Sequence, residues 1–141
     1  MILKREINGK AEILLQLRQN TGVWDGYWDL SASGHVENGE SLKQAAVREL
    51  KEELDINVYE GDLEFVHVSH NKIQEVYYTF YFNIKAYSGK IKVNEPEKCA
   101  WLRWFDAQSL PKNIIFIRKI ALENYNKNII YDEIGWNVSV K

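Results

Sequence analysis

Hydrophobic and polar residues alternate in several segments of the chain and recur at helical spacing in others. The clearest alternation runs from 75 to 87, where Val76, Phe80 and Phe82 fall on one side of a predicted strand. Two further alternating runs, 2–6 and 11–18, flank the dipeptide Asn8-Gly9, which is typical of a two-residue hairpin turn. The same pattern predicts shorter strands at 62–69, 90–93 and 101–105.

Helical spacing occurs in two places. A helix is predicted from about Ser41 to Leu54, with Glu40 or Ser41 as its start, and a second one from about Asn113 to Asn126. A glycine-containing loop, 19–40, precedes the first helix. Strands mixed with two helices indicate the α/β class, with a mixed β-sheet sandwiched between helices (α/β/α).

Composition narrows the class of protein. The chain has 141 residues, of which 45% are hydrophobic and 27% charged, as in a globular protein, and we expect residues 1–141 to form a single domain. The lone cysteine, Cys99, excludes an intramolecular disulfide. We find no apolar run long enough to span a membrane and no leader-like start, and therefore expect a cytoplasmic protein with no membrane contact. A net charge of −2 predicts no nucleic-acid partner.

Acidic residues crowd into the short stretch 37–55, which includes the first helix. Glu49, Glu52 and Glu53 share one helical face, although like charges at this spacing oppose helix formation by about 0.2–0.5 kcal/mol per pair. Such a face is more often simply solvated. Here, however, a loop with Gly34 and Gly39 precedes it, and glycines allow a close backbone approach. Carboxylate and carbonyl oxygens together suit Mg²⁺ or Mn²⁺.

These residues follow a known signature. The positions Gly34, Glu40, Arg48-Glu49, Leu50, Glu52-Glu53 and Ile56 resemble the Nudix box, G-x5-E-x7-R-E-U-x-E-E-x-G-U, across residues 34–56. Asp55 stands where the box has its last glycine, and we expect it to be tolerated because Asp accepts left-handed backbone angles. The resemblance implies a Nudix fold and a MutT-like hydrolase that requires Mg²⁺, with Mn²⁺ as an alternative.

The resemblance also implies roles for individual residues. The metal ligands would be Glu49, Glu52, Glu53, the backbone carbonyl of Ser33, and one acid of the 94–98 loop, with Glu97 preferred and Glu95 as the alternative. Arg48 would orient the glutamates and Glu40 would brace the loop. The general base would be Glu52, Glu53 or an acid of the 95–97 loop. Since Ser31-Ala32-Ser33 replaces the usual loop sequence, the choice of carbonyl ligand stays open.

The sequence indicates the substrate less specifically than it indicates the type of reaction. Arg18 and His35 resemble phosphate-contacting residues of the family, and Tyr27 and Trp28 are candidates for stacking on a base. The segment 95–105 is similar to that of nucleoside triphosphate diphosphatases. This similarity implies conversion of an NTP or dNTP, or an oxidised form, to the monophosphate and pyrophosphate.

Two alternatives remain at this stage, and a third is disfavoured. The chain could be a hydrolase of nucleotide sugars or other diphosphates, or a Nudix-fold module that binds a nucleotide without cutting it. An isomerase branch of the family would need a cysteine ahead of the box, and none occurs there. Family members usually have a longer first strand, so we also expect that a partner subunit could complete this strand in a homodimer.

Overall fold

The computed structural model describes residues 1–137, which form seven strands and two helices. In chain order these are β1 Lys4–Ile7, β2 Lys10–Arg18, β3 Trp28–Leu30, α1 Leu42–Leu54, a short 3₁₀ helix Glu60–Asp62, β4 Leu63–Lys72, β5 Val76–Ile84, β6 Cys99–Asp106, α2 Phe116–Asn126 and β7 Tyr131–Ile134. No helix in this range combines the length and the apolar character needed to cross a bilayer.

The strands form two sheets, and the second of them mixes parallel and antiparallel pairing. In the first sheet β2 pairs antiparallel with β1, β3 and β6, and in the second β4 lies between antiparallel β5 and parallel β7. The residues ahead of β1 join the sheets: Ile2 exchanges backbone hydrogen bonds with Phe82 and Ile84 of β5, and Leu3 accepts one from Leu14 of β2. Alternation shows which residues share a face, but not which strands pair.

The helices lie on opposite sides of the sheets, as the α/β/α prediction requires. Alternate residues of β2 point to the two sides: Leu14 packs in one hydrophobic cluster with Leu50 of α1, whereas Ile13 and Leu15 pack in the other with Leu122 of α2. Because α1 is fixed to the first cluster by its apolar stripe, its glutamates must point away from that core.

The ends of α1 are defined by side chains that the sequence already suggests. Ser41 accepts a hydrogen bond from the Gln44 N–H, and the Gln44 side chain accepts one from the Ser41 N–H, which makes a capping box. At the other end Asp55 adopts left-handed angles, φ 57° and ψ 33°, and its N–H donates to the Lys51 carbonyl. The expectation that Asp55 replaces glycine structurally is confirmed.

Restoring glycine at this position is expected to change little. Asp55→Gly would relieve the left-handed backbone but remove ion pairs with Lys51 at 2.6 Å and Lys92 at 3.2 Å, which also lower the pKa of Asp55. Because both effects are small at a partly exposed site, we expect the melting temperature to move by less than about 3 °C. A melting temperature lowered by about 10 °C in thermal unfolding would contradict this account.

Several boundaries differ from the predictions. The hairpin turn is confirmed, with positive φ at both Asn8 and Gly9. The strand predicted at 90–93 is wrong, because backbone donors in this segment turn to the end of α1: Lys92 N–H bonds to the Leu54 carbonyl. The short strands β3 and β7 were not predicted, and α2 begins at Phe116 rather than at 113.

Candidate active site

The loop after β3 lies directly against α1 at Gly34. A Cβ atom on this residue would stand 2.1 Å from the Cδ and Oε1 atoms of Glu49, a distance that no real contact allows. Only glycine therefore fits here while the Glu49 carboxylate keeps its position. The close approach predicted from the glycine-containing loop is present, and it brings the loop backbone beside the first box glutamate.

Arg48 holds the loop and the helix together. Its guanidinium makes two hydrogen bonds to Glu40, at 3.0 and 2.7 Å, and others to Glu49 at 2.7 Å and Glu52 at 3.1 Å. It also donates to the His35 carbonyl at 3.0 Å. One side chain thus orients two helix glutamates and fixes the loop that passes over them. This agrees with the positioning roles that the resemblance implies for Arg48 and Glu40.

Lysine is expected to be a poor substitute for Arg48. Lysine carries a point charge and cannot reproduce the two-point contact with Glu40 while also reaching Glu49. For Arg48→Lys we expect kcat/KM to fall about 10–100-fold, the usual range for groups that orient ligands. The matched control is Arg5→Lys, which alters a surface ion pair with Glu12. Steady-state kinetics in which the two variants lose equal activity would contradict the positioning role.

Glu53 is the most buried of the helix glutamates. Its Oε2 accepts a hydrogen bond of 2.8 Å from the Ser33 N–H. Burial raises the pKa of Glu53 to about 8, opposed by the Ser33 hydrogen bond and reinforced by the charge of Glu49. Burial is also the main cause that raises the pKa of Glu49, against the effect of Arg48. Two desolvated carboxylates side by side form a place where a cation would be stabilised.

The 94–98 loop contributes Glu95 rather than Glu97 to this region. Asn94 donates to the Glu52 carbonyl at 2.9 Å and thereby ties the loop to the end of α1. The charge of Glu95 adds to the raised pKa of both Glu49 and Glu53. Glu97 is exposed, and its carbonyl accepts from Asn20. The preference for Glu97 as a metal ligand stays a prediction, and the charge of Glu95 near both glutamates favours the alternative acid.

The glutamate carboxylates are the type of ligand that a divalent cation takes, but in this structure they are hydrogen-bonded to groups of the protein. Within residues 1–137 no three Asp, Glu, His or Cys side chains are grouped closely enough to form a ready metal site. Glu49 and Glu52 face Arg48, while Glu53 faces the Ser33 N–H. All of these side chains offer oxygen atoms, which are the ligands that Mg²⁺ and Mn²⁺ prefer. At Gly34 the loop lies so close to the Glu49 carboxylate that no side chain would fit between them.

Of the two aromatic residues predicted to stack on a substrate base, Trp28 is buried and Tyr27 is exposed. Trp28 is 7% exposed and packs on Phe105 with ring centroids 4.8 Å apart, so the prediction that it stacks on a substrate is corrected: it is a core residue. Tyr27 is exposed and packs edge-on against Trp24. Its contact with a base stays a prediction.

Arg18 is engaged inside the chain. It donates to the carboxylate of buried Asp29 at 3.0 Å and to the Val23 carbonyl at 3.0 Å. Arg118 of α2 binds the other oxygen of Asp29 at 2.8 Å. Burial alone would raise the pKa of Asp29, but the two arginines outweigh it and lower the pKa. Arg18 thus has a structural role, and its contact with phosphate stays a prediction.

His35 lies beside an exposed aromatic residue that no motif in the sequence indicates as a site residue. Its ring packs edge-on against Tyr77 of β5, with centroids 5.7 Å apart, and both are exposed. His35 follows Gly34 directly, so this pair borders the glutamate region. Alternation along β5 placed Tyr77 on the face opposite Tyr78, but only the fold shows that this face meets the loop.

Comparison with known proteins agrees with this arrangement. The sequence model of the NUDIX domain matches residues 3–125. An uncharacterised Nudix hydrolase of Listeria innocua is 48% identical over 52 residues, which are 36% of this chain and 31% of that protein, so the match spans about a third of that relative's length. The nucleoside triphosphatase NudI of Escherichia coli is 25% identical over 127 residues, covering 82% of this chain and 89% of the relative.

The fold is also similar to that of solved NUDIX hydrolases. A MutT NUDIX hydrolase from Burkholderia pseudomallei superimposes with a TM-score of 0.73 at 28% identity, over 86% of this chain and 92% of that one. The overall fold is therefore shared with a solved MutT NUDIX hydrolase.

Proposed function

Because the chain belongs to the Nudix family, we propose that it is a hydrolase that uses Mg²⁺ to cut a diphosphate bond in a nucleoside triphosphate, releasing the monophosphate and pyrophosphate. The observation that carries the proposal is the contact between Gly34 and Glu49 beside the buried Glu53 carboxylate. A structural helix has no need for these desolvated charges, whereas a cation-dependent phosphate site does.

The choice of a triphosphate rests on two supports. The NudI relative, named as a nucleoside triphosphatase, matches this chain over most of both lengths. The exposed His35 and Tyr77 rings lie next to the glutamate loop, and an aromatic pair suits a base whose phosphates reach the glutamates. A module that only binds nucleotides is the weaker candidate, because every box glutamate is retained and Arg48 already orients two of them.

Glu49, Glu52, Glu53 and Glu95 would hold the cation, together with a carbonyl of the Ser33 region. When bound, Mg²⁺ neutralises phosphate oxygens and makes a water molecule more acidic. Arg48 keeps Glu49 and Glu52 turned towards the loop. The candidates for accepting the proton of the attacking water are Glu52 and Glu53. The half-exposed Glu52 keeps access to solvent, whereas Glu53 is held by the Ser33 N–H.

The test is a hydrolysis screen of the full chain with Mg²⁺ and, separately, Mn²⁺. The substrates are NTPs, dNTPs, oxidised nucleotides, nucleotide sugars and dinucleotides, and both products are identified. We expect a nucleoside monophosphate and pyrophosphate from a triphosphate. Release of inorganic phosphate would overturn the choice of bond, faster turnover of a sugar or dinucleotide conjugate would overturn the substrate class, and no turnover of any diphosphate would overturn the enzyme assignment.

A further inference from the structure

Among residues 1–137, none covers one face of the second sheet beyond the end of α1. We call it the aromatic face and define it by six residues whose side chains are between 36% and 60% exposed: Phe65, Val76, Tyr78, Phe80, Tyr131 and Trp136. An exposed cluster of this size and character is unusual for a monomer, because most of its area is apolar. The glutamate site uses none of these residues.

The strand register shows that these side chains share one face. Val68 is paired with Phe80 on one side and with Tyr131 on the other, so the two aromatic residues flank it across three strands. Further along β4, His70 is paired with Tyr78, and their rings are stacked with centroids 4.3 Å apart. Trp136 covers the same histidine ring at 4.4 Å. The face is therefore continuous from β5 to the residues after β7.

This face points away from the loop that contains Gly34 and His35. Successive residues of a strand project to opposite sides of the sheet. Tyr77, which contacts His35 of the loop, lies between Val76 and Tyr78 and so projects to the other side. Further along β5, Phe82 belongs to the same side as the aromatic face but is buried against α1. The helix covers that end of the sheet and leaves the remainder open.

We propose that the aromatic face is the contact surface of a symmetric homodimer of this chain. With about half of each side chain exposed, the six residues present roughly 600 Å², taking 150–250 Å² for a whole aromatic side chain. Two copies would bury about 1,200 Å² in total, which reaches the lower bound for a stable interface before the rim is included. A second copy is also the partner that supplies an equally flat and apolar surface.

The rim charges agree with a two-fold arrangement. Lys72 is paired with Val76 at one margin, where its ammonium also lies 5.4 Å from the centre of the Trp136 ring. Glu133 lies at the edge strand β7, two residues after Tyr131, and both charged residues are exposed. In a two-fold dimer the same pair of residues meets twice, so a lysine of one copy can lie near a glutamate of the other. Opposite charges at the rim with an apolar centre are the usual organisation of protein interfaces.

The experiment is sedimentation equilibrium of the full chain without nucleotide or metal, together with single variants. The wild type is expected to approach twice its 16.6 kDa mass at about 100 µM, with a dimer Kd of about 10 µM or lower. Tyr78→Glu and Tyr131→Glu, each placing a charge at an exposed position of the face, are expected to raise this Kd at least about 100-fold. Circular dichroism and thermal unfolding establish that each variant is folded.

The matched control is Tyr59→Glu, a change at a tyrosine that is 83% exposed and lies ahead of the 3₁₀ helix, outside the aromatic face. It should leave the dimer intact. A wild type that is monomeric at about 100 µM would overturn the proposal and leave the face to a different partner. The proposal would also be overturned if the folded Tyr78→Glu and Tyr131→Glu variants dimerise like the wild type. If only one of the two variants folds, the dimer Kd of that variant tests the proposal. None of these outcomes depends on the proposed hydrolase activity.

Discussion

Glu53→Gln is expected to lower kcat about a thousand-fold while making the metal-free protein more stable. Glutamine keeps the shape of the side chain, and its carbonyl oxygen can still accept the hydrogen bond from the Ser33 N–H. It removes a negative charge from a position where burial raises the pKa to about 8. A cation held there loses one anionic ligand, and catalysis by bound metals depends on such ligands.

The stability gain follows from the same burial. A carboxylate that is charged and desolvated opposes folding, whereas a neutral amide with the same hydrogen bond does not. With metal chelated at pH 8.5, we expect a gain of about 1–2 kcal/mol, seen as a melting temperature higher by roughly 3–8 °C. Mg²⁺ should then raise the melting temperature of the wild type more than that of the variant, because it binds the folded wild type more tightly.

The matched control is Glu60→Gln, the same chemical change at an exposed residue of the 3₁₀ helix. It should affect neither the rate nor the melting temperature. A Glu53→Gln variant with normal turnover would remove Glu53 from the catalytic group. A less stable variant in the presence of chelator would show that the Glu53 charge is not desolvated in solution, which would contradict the structural account of the site.

Gly34→Ala is expected to lower kcat/KM about 100-fold with little loss of stability. The new methyl group would overlap the Glu49 carboxylate, since the Cβ atom would lie 2.1 Å from two of its atoms. The end of a glutamate side chain can move aside at small cost to folding, but it would then leave the place where a cation is bound. We therefore also expect the Mg²⁺ concentration that gives the half-maximal rate to rise about tenfold or more, as when ligand geometry is disturbed.

The control for this change is Gly61→Ala, because a Cβ atom there would meet nothing within 4 Å. It should keep full activity and the Mg²⁺ response of the wild type, and a small rise in stability is expected because alanine restricts the unfolded chain. Steady-state rates measured over a range of Mg²⁺ concentrations distinguish the two variants. If Gly34→Ala stays within threefold of the wild type at low Mg²⁺, then the contact between the loop and Glu49 does not matter for catalysis.

The box helix could be predicted well because its information is local. Ser41 and Gln44 lie three residues apart and form the capping box, and Asp55 adopts the backbone angles expected of the residue it replaces. The spacing of Glu49, Glu52 and Glu53 fixes their common face on any regular helix. The α/β fold class could also be predicted from local information, since alternation and helical spacing are properties of short segments.

The errors concern features that depend on distant segments. The choice between Glu95 and Glu97 stayed open for the same reason, because nothing in the sequence shows that Asn94 is tied to the carbonyl of Glu52. Trp28 was selected as an aromatic residue near the loop, but β3 places it against Phe105 of β6. The segment 90–93 was predicted as a strand by its alternation, yet its backbone bonds to the end of α1 instead. Each outcome was decided by tertiary hydrogen bonding or packing.

The position of the β4–β5 hairpin has a consequence for how the chain acquires its structure. Ile2 pairs with β5 about 80 residues later in the sequence, and β7 pairs with β4 more than 60 residues earlier. Contacts between such distant segments require long loops to close, which slows folding. The hairpin itself joins neighbouring segments, so it can form first and provide the edge for both ends of the chain. During synthesis Ile2 has no partner until β5 has emerged from the ribosome, so this part of the fold forms late in translation.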